Sequence, residues 1–210
     1  MQLRIVHEGV SLALVVNGNF RQKRDFVMNE KRYDGFARAL HWLMAILIIL
    51  MMVVGVRLED LTPAARTQPL TLHSGIGLVL LLLVIIRLWW RHKHPAPPYP
   101  QSMSSRQQKL AKLVVYGFYG LMIFQPVVGL MYAATHLETQ VSPFGLINLT
   151  ALLPSETSLN QVFGTLHGLG FSLLALLIIG HTGAALKHWL MDKDEIPSRM
   201  VPFVKSPKRD

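Results

Sequence analysis

Four histidines stand in long apolar stretches of this chain: His41 and His73 each near the start of one, His167 and His181 together in another. An imidazole in hydrocarbon is costly without a partner, so an ionisable residue at membrane depth points to function by default. Fourteen residues separate His167 from His181. On a helix that spacing is a rise of about 21 Å and a rotation about 40° short of four turns, so one face presents an imidazole at each of two depths. Neutral imidazole is a common metal ligand. The sequence has no cysteine, which excludes thiolate metal sites, iron–sulfur clusters, disulfides and covalent c-type haem attachment.

The elements that position these side chains follow from composition. Of the 210 residues, 51% are hydrophobic and only 16% charged, which places the chain among integral membrane proteins. A helical span needs about 20 mostly apolar residues, and the segments 39–56, 72–90, 113–135 and 163–190 qualify. Backbone groups in a bilayer core have no water to bond, so these segments are expected to be helices. The expected fold is all-α, an integral membrane four-helix bundle over residues 33–202. Residues 1–32 read as an N-terminal arm, or as an extension upstream of a start at Met28, and residues 203–210 as a C-terminal tail. The apolar run 10–16 is too short to span and lacks the cleavage site of a signal peptide. The Pro-rich stretch 95–100 reads as an extended connector, and 101–112 as an interfacial helix leading into the third span.

The net charge of +9 would suit nucleic acid, but its distribution does not. Of the 21 Lys and Arg, all but Arg57 and Arg66 lie before the first span, between the second and third, or after the core of the fourth. By the positive-inside rule both termini are expected to be cytoplasmic in a multi-pass membrane protein, with the lipid bilayer and not nucleic acid as its surroundings.

That topology fixes depth. His41 falls near the cytoplasmic side, His73 near the outer side, His167 outer and His181 inner, giving the level pairs His41/His181 and His73/His167. Two b-type haems meet the demand: each is a flat apolar macrocycle with iron held axially by two imidazoles. Filling both axial positions leaves no open iron site and suits electron transfer. Small residues beside the histidines, in 73–77, 167–170 and 181–185, would let a porphyrin lie close; they would equally serve tight helix packing. A zinc or di-iron carboxylate site is disfavoured because no intramembrane Asp or Glu accompanies the histidines.

Other residues carry fainter signals. Arg87 and Arg91 stand at the inner end of the second span, where haem propionates need cations, although anchoring at the interface explains them as well. Arg38 shares that ambiguity. Arg57 and Arg66 would attract an anionic substrate but read as ordinary loop charges. His188 lies two turns beyond His181 on nearly the same face. The segment 141–147 is apolar and too short to span, and is expected to cover the mouth of the bundle or to meet a partner.

Taken together, the runs Arg38-Ala-Leu-His-Trp42, Leu72-His-Ser-Gly-Ile-Gly77, Arg87-Leu-Trp-Trp-Arg91, Leu166-His167 and His181 through His188 resemble the bacterial di-haem cytochrome b561 family over residues 33–202. The resemblance implies that His41, His73, His167 and His181 are axial ligands of two haem b groups. It implies a quinone contact at His188 and an activity like that of a superoxide:quinone oxidoreductase, with electrons passing from superoxide outside to ubiquinone near the cytoplasmic side. The alternative is a non-catalytic cytochrome b subunit relaying electrons between quinone and a partner dehydrogenase. A small-molecule or protein donor and the quinone pool are thus the expected partners; a haemless scaffold is the third reading.

Overall fold

The computed structural model describes residues 32–101, 103–136, 140–153 and 156–202; the proposed N-terminal arm, save Arg32, and the tail lie outside them. The described chain is helical, with four helices long and apolar enough to cross a membrane. These are α1 (Gly35–Glu59), α2 (Pro63–Lys93), α3 (Ser105–Ala134) and α4 (Thr157–Lys187), the last running on through a π-turn over His188–Asp192. No strand is present among the described residues.

Three of the four starts have a local cause. Asp34 caps α1 by accepting from the Ala37 N–H at 2.9 Å, which satisfies one of the orphan donors of a first turn. Thr62 precedes a Pro at the first position of α2, where a missing N–H costs nothing. Ser104 and Gln107 form a reciprocal capping box at the head of α3. That box explains one departure from the sequence reading. No separate interfacial helix covers 101–112, because nothing after Ser104 breaks the helix and it runs unbroken into the span. At α4 the helix begins six residues before the expected 163, the extra turns being polar.

Neighbouring helices α1–α2, α2–α3 and α3–α4 pack against one another, whereas α4 stands off from α1 and α2. Leu40, Met44, Leu80 and Val84 form the α1–α2 seam. The standing-off leaves space where α4 faces the other two helices. We call the end holding Tyr33 and Val201 the terminal end, and the other the distal end. At the terminal end the segment after α4 folds back: Trp42 donates its indole N–H to Met200 O at 3.1 Å, and Arg199, almost fully buried, donates to Pro98 O at 2.6 Å and Glu195 at 2.8 Å. Trp90 of α2 donates to Asp34 at 3.0 Å, and Arg87 to Ala37 O at 3.0 Å.

The apolar loop expected over the bundle mouth docks elsewhere. Val141 and Pro143 are buried, and the Phe144 ring rests on Gly75 so closely that a Cβ there would lie 2.7 Å from it. Gly75 is two residues past His73, roughly on the opposite side of α2. The loop therefore braces the back of α2 rather than roofing the space before His73; Phe144 takes φ +50° to do so.

Candidate cofactor site: two histidine pairs between the helices

The structure brings the four histidines together as two pairs at two levels. His41 of α1 faces His181 of α4 near the terminal end, and His73 of α2 faces His167 of α4 near the distal end; both pairs have ring centroids 6.4 Å apart. A metal–imidazole bond of about 2 Å, with a further ~1 Å from nitrogen to ring centre, puts two rings sharing one ion about 6 Å apart. That is too far for a direct hydrogen bond between the rings and right for one metal between them. The match occurs at both levels.

Space and donor chemistry fit a flat apolar group. A cavity of about 660 Å³ opens between the helices at the distal level, lined by residues of all four, among them Met51, Gly55, His73, Gly77, Gly129 and His167. Cofactor sites typically enclose roughly 300–1,000 Å³. The Nδ1 atoms of His73 and His167 are buried with no hydrogen-bond partner, so neither ring is there as part of a hydrogen-bonded core network. Glycines of neighbouring helices back both rings. A Cβ on Gly55 would meet His73 Cε1 at 3.3 Å, and one on Gly129 would meet His167 Cε1 at 2.8 Å.

The small residues around His181 also lose their packing explanation, because Gly180 and Gly183 have nothing within 4 Å of where a Cβ would stand. Both are exposed, as is His181, whose ring has Phe118 edge-on at 5.4 Å. Helix packing within the chain does not require glycine at either position.

Polar residues mark the ends. The distal cavity reaches Glu59, Arg66, Tyr132 and His136. Arg66 donates to the carbonyls of Glu59 and Leu61 at 3.4 and 3.0 Å, tying down the end of α1, while its Nε is buried without a partner. Arg57 is exposed and does not line the cavity. At the terminal end Arg87 bonds the carbonyl of Ala37, one turn before His41. His188 sits in the π-turn with Nδ1 2.6 Å from Asp194 and 3.1 Å from Asp192, and Asp192 is also held by Lys187 at 2.6 Å. The carboxylate partners of His188 were not anticipated from the sequence; an acidic pair four and six residues on was the available signal. Gly55 and Gly129 were missed too, since a lone glycine in a span does not say which ring it backs.

Comparison with known proteins identifies the family. The family model described as prokaryotic cytochrome b561 matches residues 32–203. The chain is 29% identical to cytochrome b561 homolog 2 of Escherichia coli K12, over 84% of this chain and 94% of that one. It is 27% identical to the probable superoxide oxidase CybB of Yersinia pestis, over 82% and 97%. To the probable Ni/Fe-hydrogenase 1 B-type cytochrome subunit of Escherichia coli K12 it is 20% identical, over 90% and 95%.

Proposed function

The chain belongs to the prokaryotic cytochrome b561 family, and from that premise we propose that it is a di-haem b-type cytochrome carrying electrons across the bacterial inner membrane from superoxide outside to ubiquinone near the cytoplasmic side. The observation that carries the reading is the pair of 6.4 Å histidine separations at two levels of one bundle. The family implies b-type haem; two matched imidazole pairs ask for two. When bound, such groups supply reversible one-electron transfer along the membrane normal. The terminal end, where the Lys and Arg gather, is taken as cytoplasmic.

The residues divide the work. His73 and His167 hold the outer group, and His41 and His181 the inner one, all as neutral imidazoles. Gly55 and Gly129 admit the outer rings close to the backbone. Arg66 offers a cation at the outer end of the cavity and Arg87 one beside Ala37 at the terminal end of the bundle, each suited to a carboxylate such as a propionate. Apolar side chains of all four helices, among them Met44, Leu80, Met122 and Leu174, line the space inward of the outer pair. At the cytoplasmic end Asp194 fixes His188 through Nδ1, which leaves Nε2 to bond a quinone oxygen or pass it a proton. Two superoxide ions each give up one electron and leave as dioxygen, and ubiquinone takes those two electrons with two protons to become ubiquinol.

Likeness to the hydrogenase B-type subunit supports a second reading, a relay that takes electrons from a docked dehydrogenase. Purified protein separates the two. We expect pyridine haemochrome analysis to count two b-type haems per chain, and superoxide to reduce added ubiquinone through the isolated protein. A count of one would overturn the pairing; two haems without superoxide-driven quinone reduction would favour the relay.

A further inference from the structure

We propose that Gln125 is a positioning residue for His167, holding that imidazole in a socket that sets the spectroscopic and redox character of one centre and not the other. The inference rests on the reading of His167 as an iron ligand and adds a residue to it.

Gln125 lies in the apolar span of α3, where an unpartnered polar atom is costly, and its Oε1 is buried there without a partner. Its Nε2 donates to the backbone carbonyl of His167 at 2.9 Å. A carbonyl oxygen can only accept, so the amide orientation is fixed: Nε2 points at His167 and Oε1 away from it. One turn further along α3, Gly129 lets the helix backbone reach the imidazole, with a Cβ there falling 2.8 Å from Cε1 and 3.1 Å from Nδ1. One turn along α4 from His167, Gly170 makes room for the amide itself: a Cβ at Gly170 would collide with Gln125 Oε1 and lie 3.2 Å from its Cδ.

Three contacts thus act on one side chain. The amide fixes the height and rotation of the His167 backbone relative to α3. Gly129 walls one side of the ring and limits its swing, and Gly170 keeps the amide in reach. Pro126 follows Gln125 inside α3 and lacks an N–H to close the helical ladder at that turn, a site of local backbone adjustment. His181 is held differently. Its flanking Gly180 and Gly183 meet nothing within 4 Å, and its neighbour is the edge of Phe118. An axial imidazole tunes its iron through ring orientation and outer-shell bonding, so a braced and an unbraced ligand give two distinguishable centres.

The test uses the full-length, haem-loaded protein in detergent and reads low-spin haem EPR signals and the two steps of a redox titration. His167→Ala first identifies which signal belongs to the His167 centre. Gln125→Met keeps length and apolarity but removes the amide. We expect it to shift that same signal and its titration step while the other centre stays unchanged, and to speed loss of that haem on dilution by about tenfold or more. Gly170→Ala, which pushes on the amide and not on the ring, should shift the same centre, whereas Gly120→Ala, with open space around it, should shift neither. Gly170→Ala also reads the socket should Gln125→Met fail to accumulate. Unchanged signals in both variants, or equal shifts of both centres, would overturn the proposal. Full retention of both haems in His167→Ala would instead remove the ligand reading on which it stands.

Discussion

An imidazole that binds iron must be neutral and must point one way, and the two histidine pairs of the bundle are set in different surroundings. At the distal pair a glycine backs each ring, and the Nδ1 atoms are buried without partners. At the other pair His181 stands open beside small residues. If these are the ligands, His167→Ala should lose one haem and keep the other, read by haem count and reduced-minus-oxidised spectra; retention of both would strike it from the set. His188 belongs to a different step. His188→Ala should keep both haems and slow quinone reduction, and Asp194→Asn, which weakens the hold on Nδ1, should slow it in the same direction by a smaller factor. An unchanged rate in both would remove His188 from the quinone step. The four histidines were legible because imidazoles are rare at membrane depth and two of them share a helical face. Gln125 and Gly129 were not, because their meaning lies in what the neighbouring helix brings against them.

Helix ends decide how firmly the bundle closes around the site. Asp34 caps α1 and at the same time accepts from Trp90 at the far end of α2, so one carboxylate joins two helices. Burial works to raise its pKa, but the Ala37 N–H and the Trp90 indole, with His94 near, hold it below 3.8. Asp34→Ala should cost about 1 kcal/mol for the cap, lowering Tm by about 2–4 °C in a detergent melt. Because the folded pKa is depressed, that difference from the wild type is complete above about pH 4 and is lost as falling pH protonates the carboxylate. A Tm difference that is absent at neutral pH would refute the capping role. Spans were readable from apolar length, yet their ends were not. The polar first turns of α3 and α4 carry no hydropathy signal: a capping box starts α3, whereas Glu156 at the head of α4 makes no side-chain cap.

Seen whole, the molecule wears its apolar surface outward. Ile46, Ile49 and Val53 on α1, Leu82 and Ile85 on α2, Leu113 on α3, and Leu173, Leu176 and Ile179 on α4 are exposed, an extent that a soluble monomer does not show and that a bilayer covers. The Lys and Arg distribution predicts both termini on the cytoplasmic side. Cysteines placed singly at position 95, between α2 and α3, and at position 61, between α1 and α2, in a chain with no others, should label from opposite sides of sealed vesicles. Labelling of both from one side would contradict the topology. Arg66 carries a prediction at the same scale: Arg66→Gln should weaken retention of the haem that depends on His167, since the outer cavity would lose the cation lining it. Equal retention by wild type and variant would confine Arg66 to tying the end of α1.

The sequence by itself determined the spans, the number of helices, the two depths and the candidate ligands, because apolar length, charge asymmetry and helical period act locally along the chain. It also carried the family resemblance, which the comparisons then established. Only the tertiary structure decided what lies between the helices. It shows that α4 stands off from α1 and α2 across a cavity, that both histidine pairs stop 6.4 Å apart, that the apolar loop braces α2 from behind, and that Gln125 reaches His167. Those outcomes depend on which side chains and glycines oppose one another on different helices, and no pattern within one helix records its neighbour's register.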